Sequence, residues 1–265
     1  MLAHSAASSY PFTTSPIPGF LPYQDSLVWY YDMSSPLSYG AGSSAVNDIM
    51  STDSMQIING TYSSNYKGGV YLNGTDAYLS GSADVKYKFD GHANNWTWGM
   101  IASMGNIDED TQFLFDADNA TTAVGYRITA NTTGVTNYGA GFWCKDPSVS
   151  LSARSYLTEM TDNKFYAIVL SKYTNNIKFL AVSADGGQTQ IAGGFGTGVN
   201  LSTLNNDKKF TIGCAWSTFG SPSLYTQMTV HAFMGWNTNI DTMSTAAGQT
   251  QTQWVQSLAD NYYNR

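Results

Sequence analysis

Residues 68–80 read GGVYLNGTDAYLS, and they carry the clearest structural signal in the chain. Apolar residues alternate with small or polar ones on both sides of Asn73-Gly74. Asn and Gly tolerate the backbone conformations of a tight turn, and an Asn-Gly pair between two alternating runs is typical of a β-hairpin. The stretch therefore predicts two strands paired through a tight turn, and it indicates a β-rich fold.

The composition supports a β protein and excludes some partners. Of the 265 residues only 12% are charged, and the surface must be polar through its Ser, Thr, Asn and Gly. This composition favours β structure and an extracellular or virion setting. The net charge is −7 and the 12 Lys and Arg are scattered, so we expect no nucleic-acid partner. No apolar run approaches ~18 residues, so we expect no membrane partner.

Residues 1–25 carry four of the seven prolines, which fix φ and remove backbone donors. We expect an extended arm that lies on its own domain or on a neighbouring subunit. Its contacts would be made by apolar and aromatic side chains: Tyr10, Phe12, Ile17, Phe20 and Tyr23. The first ten residues lack the basic and apolar regions of a secretory signal, so we expect a protein that leaves the cytosol by assembly or lysis.

From residue 26 onward, short strand patterns alternate with turn residues. In residues 166–170 and 177–182 one face is apolar, and the turn-forming residues 173–176 join the two. Many short strands with almost no helical period predict a sandwich or jelly roll. The strand candidates are 26–32, 56–59, 69–72, 76–80, 84–90, 95–104, 111–116, 122–130, 136–144, 149–155, 164–172, 176–184, 208–216 and 223–236.

One helix is predicted near the end of the chain, at about residues 251–263. Thr250 and Gln253 have the spacing of a capping box. Trp254, Leu258 and Tyr262 then fall on one face. We therefore divide the chain into the arm, residues 1–25, and one β domain, residues 26–265, closed by this helix.

The two cysteines, Cys144 and Cys214, leave two interpretations open. We favour two buried thiols that pack as small apolar side chains. A disulfide is the alternative if their strands are neighbours, and a zinc site is not expected without nearby histidines.

The order of the motifs resembles the concanavalin A-like lectin/glucanase domains of the LamG type. Those domains open with an apolar strand ending in Asp and continue to Gly-Gly-x-x-x-Phe-Asp-Gly-x-Asp-x-Tyr-Ile. Here residues 26–32 precede residues 68–79, with Asn73 in place of the usual Asp. The resemblance implies an all-β, two-sheet antiparallel jelly-roll sandwich with a short C-terminal helix, of the kind found in bacteriophage virion proteins.

The resemblance also implies where a catalytic site would lie. Glucanases on this fold use two glutamates on one strand, with carboxyl groups about 5–5.5 Å apart. The glutamates of this chain, Glu109 and Glu159, lie in different segments. His231 lies in a strand pattern without a nucleophile motif, so we expect a packed or surface histidine. We therefore expect that the protein is not an enzyme.

Asn106, Asp108 and Asp110 have the spacing of a calcium loop. An EF-hand needs Gly at the sixth position and Glu at the twelfth, where Thr111 and Ala117 stand. We expect a solvated loop here, with calcium as the alternative, and no other cofactor.

Two functions fit these observations. The first is a non-catalytic structural or adhesion protein of a virus particle, such as a phage capsid-decorating, head-fibre or tail-fibre component. Its partners would be major capsid or fibre subunits, further copies of itself, and host surface glycans. The alternative is a carbohydrate-binding lectin module of a cell-surface or secreted protein.

Overall fold

The computed structural model of the protein describes most of the domain and a small part of the N-terminal segment. The described residues are 17–19, 21, 23–64, 68–81, 95–105, 112–116, 125–131, 141–146, 151–156, 164–173, 176–184, 189–192, 210–215 and 221–264.

Two antiparallel sheets form the domain. The strands of sheet 1 are β1 (Leu27–Asp32), β4 (Thr61–Ser63), β5 (Gly69–Asn73), β7 (Asn95–Met104), β12 (Phe165–Tyr173), β13 (Asn176–Ser183), β14 (Thr189–Ala192) and β16 (Gln227–Trp236). Their order is β14-β13-β12-β7-β16-β5-β4, and β1 also pairs with β16. The strands of sheet 2 are β2 (Ala45–Asn47), β3 (Ser54–Ile58), β6 (Tyr78–Ser80), β8 (Gln112–Asp116), β9 (Gly125–Asn131), β10 (Gly141–Asp146), β11 (Leu151–Tyr156) and β15 (Thr211–Ile212). Their order is β11-β10-β9-β8-β15-β6-β3-β2.

The main core lies between the two sheets and is built on aromatic rings. Trp98 of β7 and Phe233 of β16 face Phe115 of β8, with ring centroids 4.9 and 5.9 Å from Phe115. All three rings are buried, and burial of each large ring removes about 150–250 Å² from water. The predicted two-layer β-sandwich is therefore confirmed.

A second core covers the outer face of sheet 1. Strand β12 supplies Ile168 to the inner core and Val169 to the outer one, because successive side chains of a strand point to opposite faces. Two helices cover the outer face: α1 (Ile240–Ala246) and α2 (Gln251–Tyr263). Sheet 1 is thus apolar on both faces, whereas the sequence predicted only one of the two helices.

Two elements form where local sequence patterns predicted them. Helix α2 begins with the predicted capping box, in which Thr250 and Gln253 bond each other's backbone at 3.2 and 2.8 Å. Strands β12 and β13 pair through Tyr173 and Asn176, as the predicted turn requires. The short strands β2, β4 and β14 were missed, and the predicted strand 84–90 lies outside the described residues.

The predicted hairpin at residues 68–80 is wrong in its pairing. Strands β5 and β6 form where expected, but β5 pairs with β4 and β16, while β6 pairs with β3 and β15. The Asn73-Gly74 turn therefore carries the chain from sheet 1 to sheet 2. A period-two pattern specifies which face of a strand is buried, but it does not specify which strand lies beside it.

The described part of the N-terminal segment packs on the outer core. Leu21 is buried, and Ile17 and Tyr23 pack partly buried against the same cluster. The Tyr23 hydroxyl donates to the carbonyl oxygen of Thr242 in α1 at 3.3 Å. The helices in the described part of the chain lack the length and apolar character of a transmembrane helix.

Candidate functional site

The candidate site lies at one end of the sandwich, where two Asn-Gly pairs carry the chain from one sheet to the other. Asn59-Gly60 leads from β3 in sheet 2 to β4 in sheet 1, and Asn73-Gly74 leads from β5 back to β6. The segment before β16, residues 221–226, reaches the same end because Gln227 pairs with Asn73. We call this region the turn end.

Asp76 is the centre of the turn end. Its Oδ1 accepts a hydrogen bond from Asn73 Nδ2 at 2.7 Å, and its Oδ2 accepts one from Asn59 Nδ2 at 3.0 Å. All three side chains are exposed. The two amides therefore fix the orientation of a solvent-facing carboxylate.

The side chain of Asn73 also shapes the turn. Its Oδ1 accepts from the backbone N–H groups of Thr75, Asp76 and Ala77 at 2.9, 3.1 and 3.1 Å. Asn favours such local bonds to the backbone, and Gly74 supplies the positive φ of 76°. The local sequence thus sets the position of Asp76.

Tyr225 lies at the same end of the sandwich, because its ring packs against Tyr78, two residues after Asp76. The Thr226 N–H donates to the Gly213 carbonyl at 2.9 Å, which fixes the backbone next to Tyr225. The Tyr225 ring packs against Tyr78 with centroids 6.3 Å apart. Burial, then the Cys214 thiol and the Asp76 carboxylate, raise the pKa of Tyr225 above its ordinary value. The phenol therefore keeps its proton at neutral pH and can donate a hydrogen bond.

One strained residue borders the same cluster. Leu224, which is 38% exposed, has φ of 52°, whereas the φ of 52° at Asn59 is one that asparagine tolerates. Positive φ is uncommon for a bulky residue such as leucine and costs of order 1–3 kcal/mol. Such strain concentrates at functional sites, so its position favours a functional role for the turn end.

The chemistry of the turn end suits a ligand with hydroxyl groups and a ring. A carboxylate has about four acceptor positions, and the two asparagine amides occupy one on each oxygen of Asp76. The remaining positions face solvent and can accept from hydroxyl donors. The half-buried ring of Tyr225 offers apolar surface at the same end of the sandwich.

Most of the residues proposed from the sequence lie elsewhere. Of the arm residues, Ile17 and Tyr23 pack on the domain itself, and the structure does not bring them to the turn end. Tyr10, Phe12 and Phe20 lie outside the described residues, as do the calcium candidates Asn106, Asp108 and Asp110. Within the described part of the chain, no three His, Cys, Asp or Glu side chains cluster as metal ligands would. The arm and calcium sites stay predictions.

His231 is a packed histidine, as predicted. Its Nδ1 lies 2.7 Å from the Gly68 carbonyl oxygen and its Nε2 lies 2.8 Å from Ser103 Oγ. The carbonyl can only accept, so the ring proton is on Nδ1 and Ser103 donates to Nε2. Burial lowers the pKa of His231 to about 4, so the imidazole is neutral and weakly basic at neutral pH. We assign this buried pair to the packing of sheet 1.

Solved structures of similar fold are known at low sequence identity. No protein-family model and no curated protein matches the chain. Among solved structures, Trypanosoma rangeli sialidase matches with a TM-score of 0.58 and 16% identity over 88% of this chain and 32% of that chain. The same sialidase in complex with sialic acid matches with a TM-score of 0.55 and 14% identity over 90% of this chain and 34% of that chain. The chain thus spans about a third of the sialidase.

A shorter structure matches over nearly its whole length. It is domain 4 of AbnA, a GH43 extracellular arabinanase from Geobacillus stearothermophilus, in complex with arabinotriose. The TM-score is 0.57 and the identity 12%, over 88% of this chain and 98% of that chain. At such identities the likeness shows a jelly-roll-like β-sandwich.

The similar structures contradict the expectation that the protein is not an enzyme. They belong to a sialidase and an arabinanase, which are enzymes. The lack of two glutamates on one strand argues only against the glucanase arrangement of catalytic residues. The expectation wrongly extended that argument to every class of enzyme.

Asn73 and Asp76 lie in the stretch 68–80 and Asn59 ends the strand candidate 56–59, but the sequence assigned none of them to a site. Each of them looks like an ordinary turn residue in isolation, because the bond from Asn59 to Asp76 forms only when the two sheet crossings meet. Tyr225 carried no signal, since a tyrosine in a strand-rich chain is as often a core residue.

Proposed function

We propose that this protein binds carbohydrate at the turn end, as a lectin-like domain of the LamG type. The observation that carries the proposal is the exposed Asp76 carboxylate, oriented by Asn59 and Asn73 at the end of the sandwich where Tyr225 packs on Tyr78. The carboxylate would accept from sugar hydroxyl groups, while the tyrosine would pack on a sugar ring and donate through its phenol.

The solved structures support this proposal. A domain of the same fold and nearly the same extent has been solved with arabinotriose, a neutral oligosaccharide. Trypanosoma rangeli sialidase also contains a region of similar fold, and it has been solved in complex with sialic acid. The protein would therefore hold a glycan, either for an enzyme that carries it or as an adhesin. A virion role with capsid or fibre partners stays a prediction, and glycan binding is the form of adhesion that the turn end favours.

A glycan array probed with the purified protein tests the proposal. We expect binding to a restricted set of glycans, followed by saturable binding of the best oligosaccharide in a calorimetric titration. Asp76→Ala and Tyr225→Ala should each weaken that binding by about ten-fold or more, because each removes a central contact.

Asp25→Asn is the matched control. Asp25 is exposed and precedes β1, whose Leu27 pairs with Trp236 at the opposite end of β16 from Gln227. This variant should bind as the parent does. Binding that persists in both Asp76→Ala and Tyr225→Ala would move the site away from the turn end, and an array without any bound glycan would refute carbohydrate binding.

A further inference from the structure

We propose that the turn end selects neutral glycans over glycans that carry a carboxylate or a sulfate, an inference that rests on the carbohydrate binding proposed above. The reason is the charge of the site. In the described parts of the turn end, residues 59–60, 73–78, 213–215 and 221–226, Asp76 is the one charged side chain. A ligand that approaches Tyr225 therefore meets a fixed negative charge.

The two asparagine amides beside Asp76 each give an N–H to its carboxylate, which leaves the carboxylate itself as the group that a ligand meets. Asn59 Nδ2 and Asn73 Nδ2 both bond to the Asp76 carboxylate. An incoming carboxylate or sulfate would present acceptor oxygens to the free acceptor positions of Asp76, and two acceptors cannot bond. A sugar hydroxyl brings its own proton, so it can donate to Asp76 without a change in the site.

Lys164, Lys172 and Lys178 are the lysines whose side chains the structure describes, and their positions in sheet 1 lie away from Asp76. Lys164 directly precedes β12, which lies three strands from β5 in sheet 1. At about 4.8 Å per strand this separation is about 14 Å, beyond the screening length of about 8 Å at physiological salt. Lys178 binds Asp241 at 2.9 Å, and Lys172 stands at the far end of β12. The net charge of −7 adds a general repulsion of anions.

Matched pairs of glycans measure this selectivity. One pair is an oligogalacturonate and its fully methyl-esterified form of equal length, which share the same linkage and differ only in whether the carboxyl group at C6 is charged. A second pair is N-acetyllactosamine with and without a terminal sialic acid. We expect the neutral member of each bound pair to bind at least about ten-fold more tightly in low salt, as a close like charge predicts.

Two measurements assign the selectivity to Asp76. High salt should reduce the ratio of the affinity for the neutral glycan to the affinity for the anionic glycan, because salt screens the repulsion between Asp76 and the anionic ligand. Asp76→Asn should also reduce the ratio, since it removes the charge and keeps the shape, whereas Asp25→Asn should leave it unchanged. If Asp76→Asn binds no glycan, the salt dependence of the parent protein decides the question.

The outcomes separate this inference from the proposed function. Equal or tighter binding of the anionic members, lost in Asp76→Ala, would overturn the selectivity and leave carbohydrate binding at the turn end intact. An affinity ratio that neither salt nor Asp76→Asn changes would also overturn the inference, since the selectivity would then not come from the charge of Asp76. Absence of binding to every glycan would refute the proposed function and this inference with it.

Discussion

His231 Nδ1 lies 2.7 Å from the carbonyl oxygen of Gly68, and this bond closes a gap in sheet 1. Strands β1 and β5 pair with the same edge of β16, end to end: Asp32 pairs with Ala232, and Val70 pairs with Val230. His231 stands between these partners, at an irregularity in the register of β16 with β7. Its side chain supplies the hydrogen bond that Gly68 would otherwise lack at the gap.

The burial of His231 predicts a pH dependence of stability. Burial lowers its pKa to about 4 from an ordinary value of 6.5, although the Gly68 bond and the Asp32 charge act in the opposite direction. Between these pH values the unfolded chain takes up a proton and the folded chain does not. Stability should therefore fall as the pH decreases from about 6.5 to about 4, by roughly 3 kcal/mol in total. Urea unfolding at a series of pH values measures this loss.

His231→Asn is the matched variant for this prediction. The asparagine amide can still donate to the Gly68 carbonyl, but it does not titrate. Carboxyl groups titrate in both proteins, so the difference between the two pH profiles isolates the histidine. Parallel profiles would show that His231 takes up its proton equally in the folded and unfolded states.

Gly235→Ala should strongly destabilise the protein. A methyl group at this position would lie 2.0 Å from Cζ2 of Trp29, whose ring covers the glycine. Because both positions are buried, we expect a loss of about 3 kcal/mol, at the upper end for overpacking. Thermal or urea unfolding measures the loss.

Two further variants test this explanation. Gly40→Ala should have little effect, since a methyl group there meets no atom within 4 Å. In a Trp29→Leu background, which makes room beside Gly235, the same Gly235→Ala change should cost less. An equal cost in both backgrounds would exclude the Trp29 ring as the cause.

The Cys214 thiol should be unreactive in the folded protein. Burial raises its pKa to about 12, opposed by the hydrogen bond of Thr211 and assisted by the Asp116 charge. At about pH 8 the thiolate fraction is then roughly a thousand-fold lower than for an ordinary cysteine. Iodoacetamide labelling followed by peptide mapping should show slow modification of Cys214 in buffer and rapid modification in urea. Similar rates in both conditions would contradict the buried position.

Some elements could be predicted because their causes are local. The capping box of Thr250 and Gln253 and the apolar face of α2 involve residues within a few positions of each other. The turn between β12 and β13 likewise joins neighbouring segments. Helix α1 was missed, although Asn239 caps it by accepting from the Thr242 N–H at 2.9 Å, because its seven residues are too short to show a period.

By itself, the sequence determined where most strands and turns form, that two apolar-faced layers result, and that Thr250 caps the last helix. Only the tertiary structure decided that β5 and β6 belong to different sheets, and that Asn59 meets Asp76. The physical reason is that alternation and turn propensity act over a few residues, whereas strand partners are chosen by packing across the whole core. The candidate site depends on that choice, since its residues come from three separate turns.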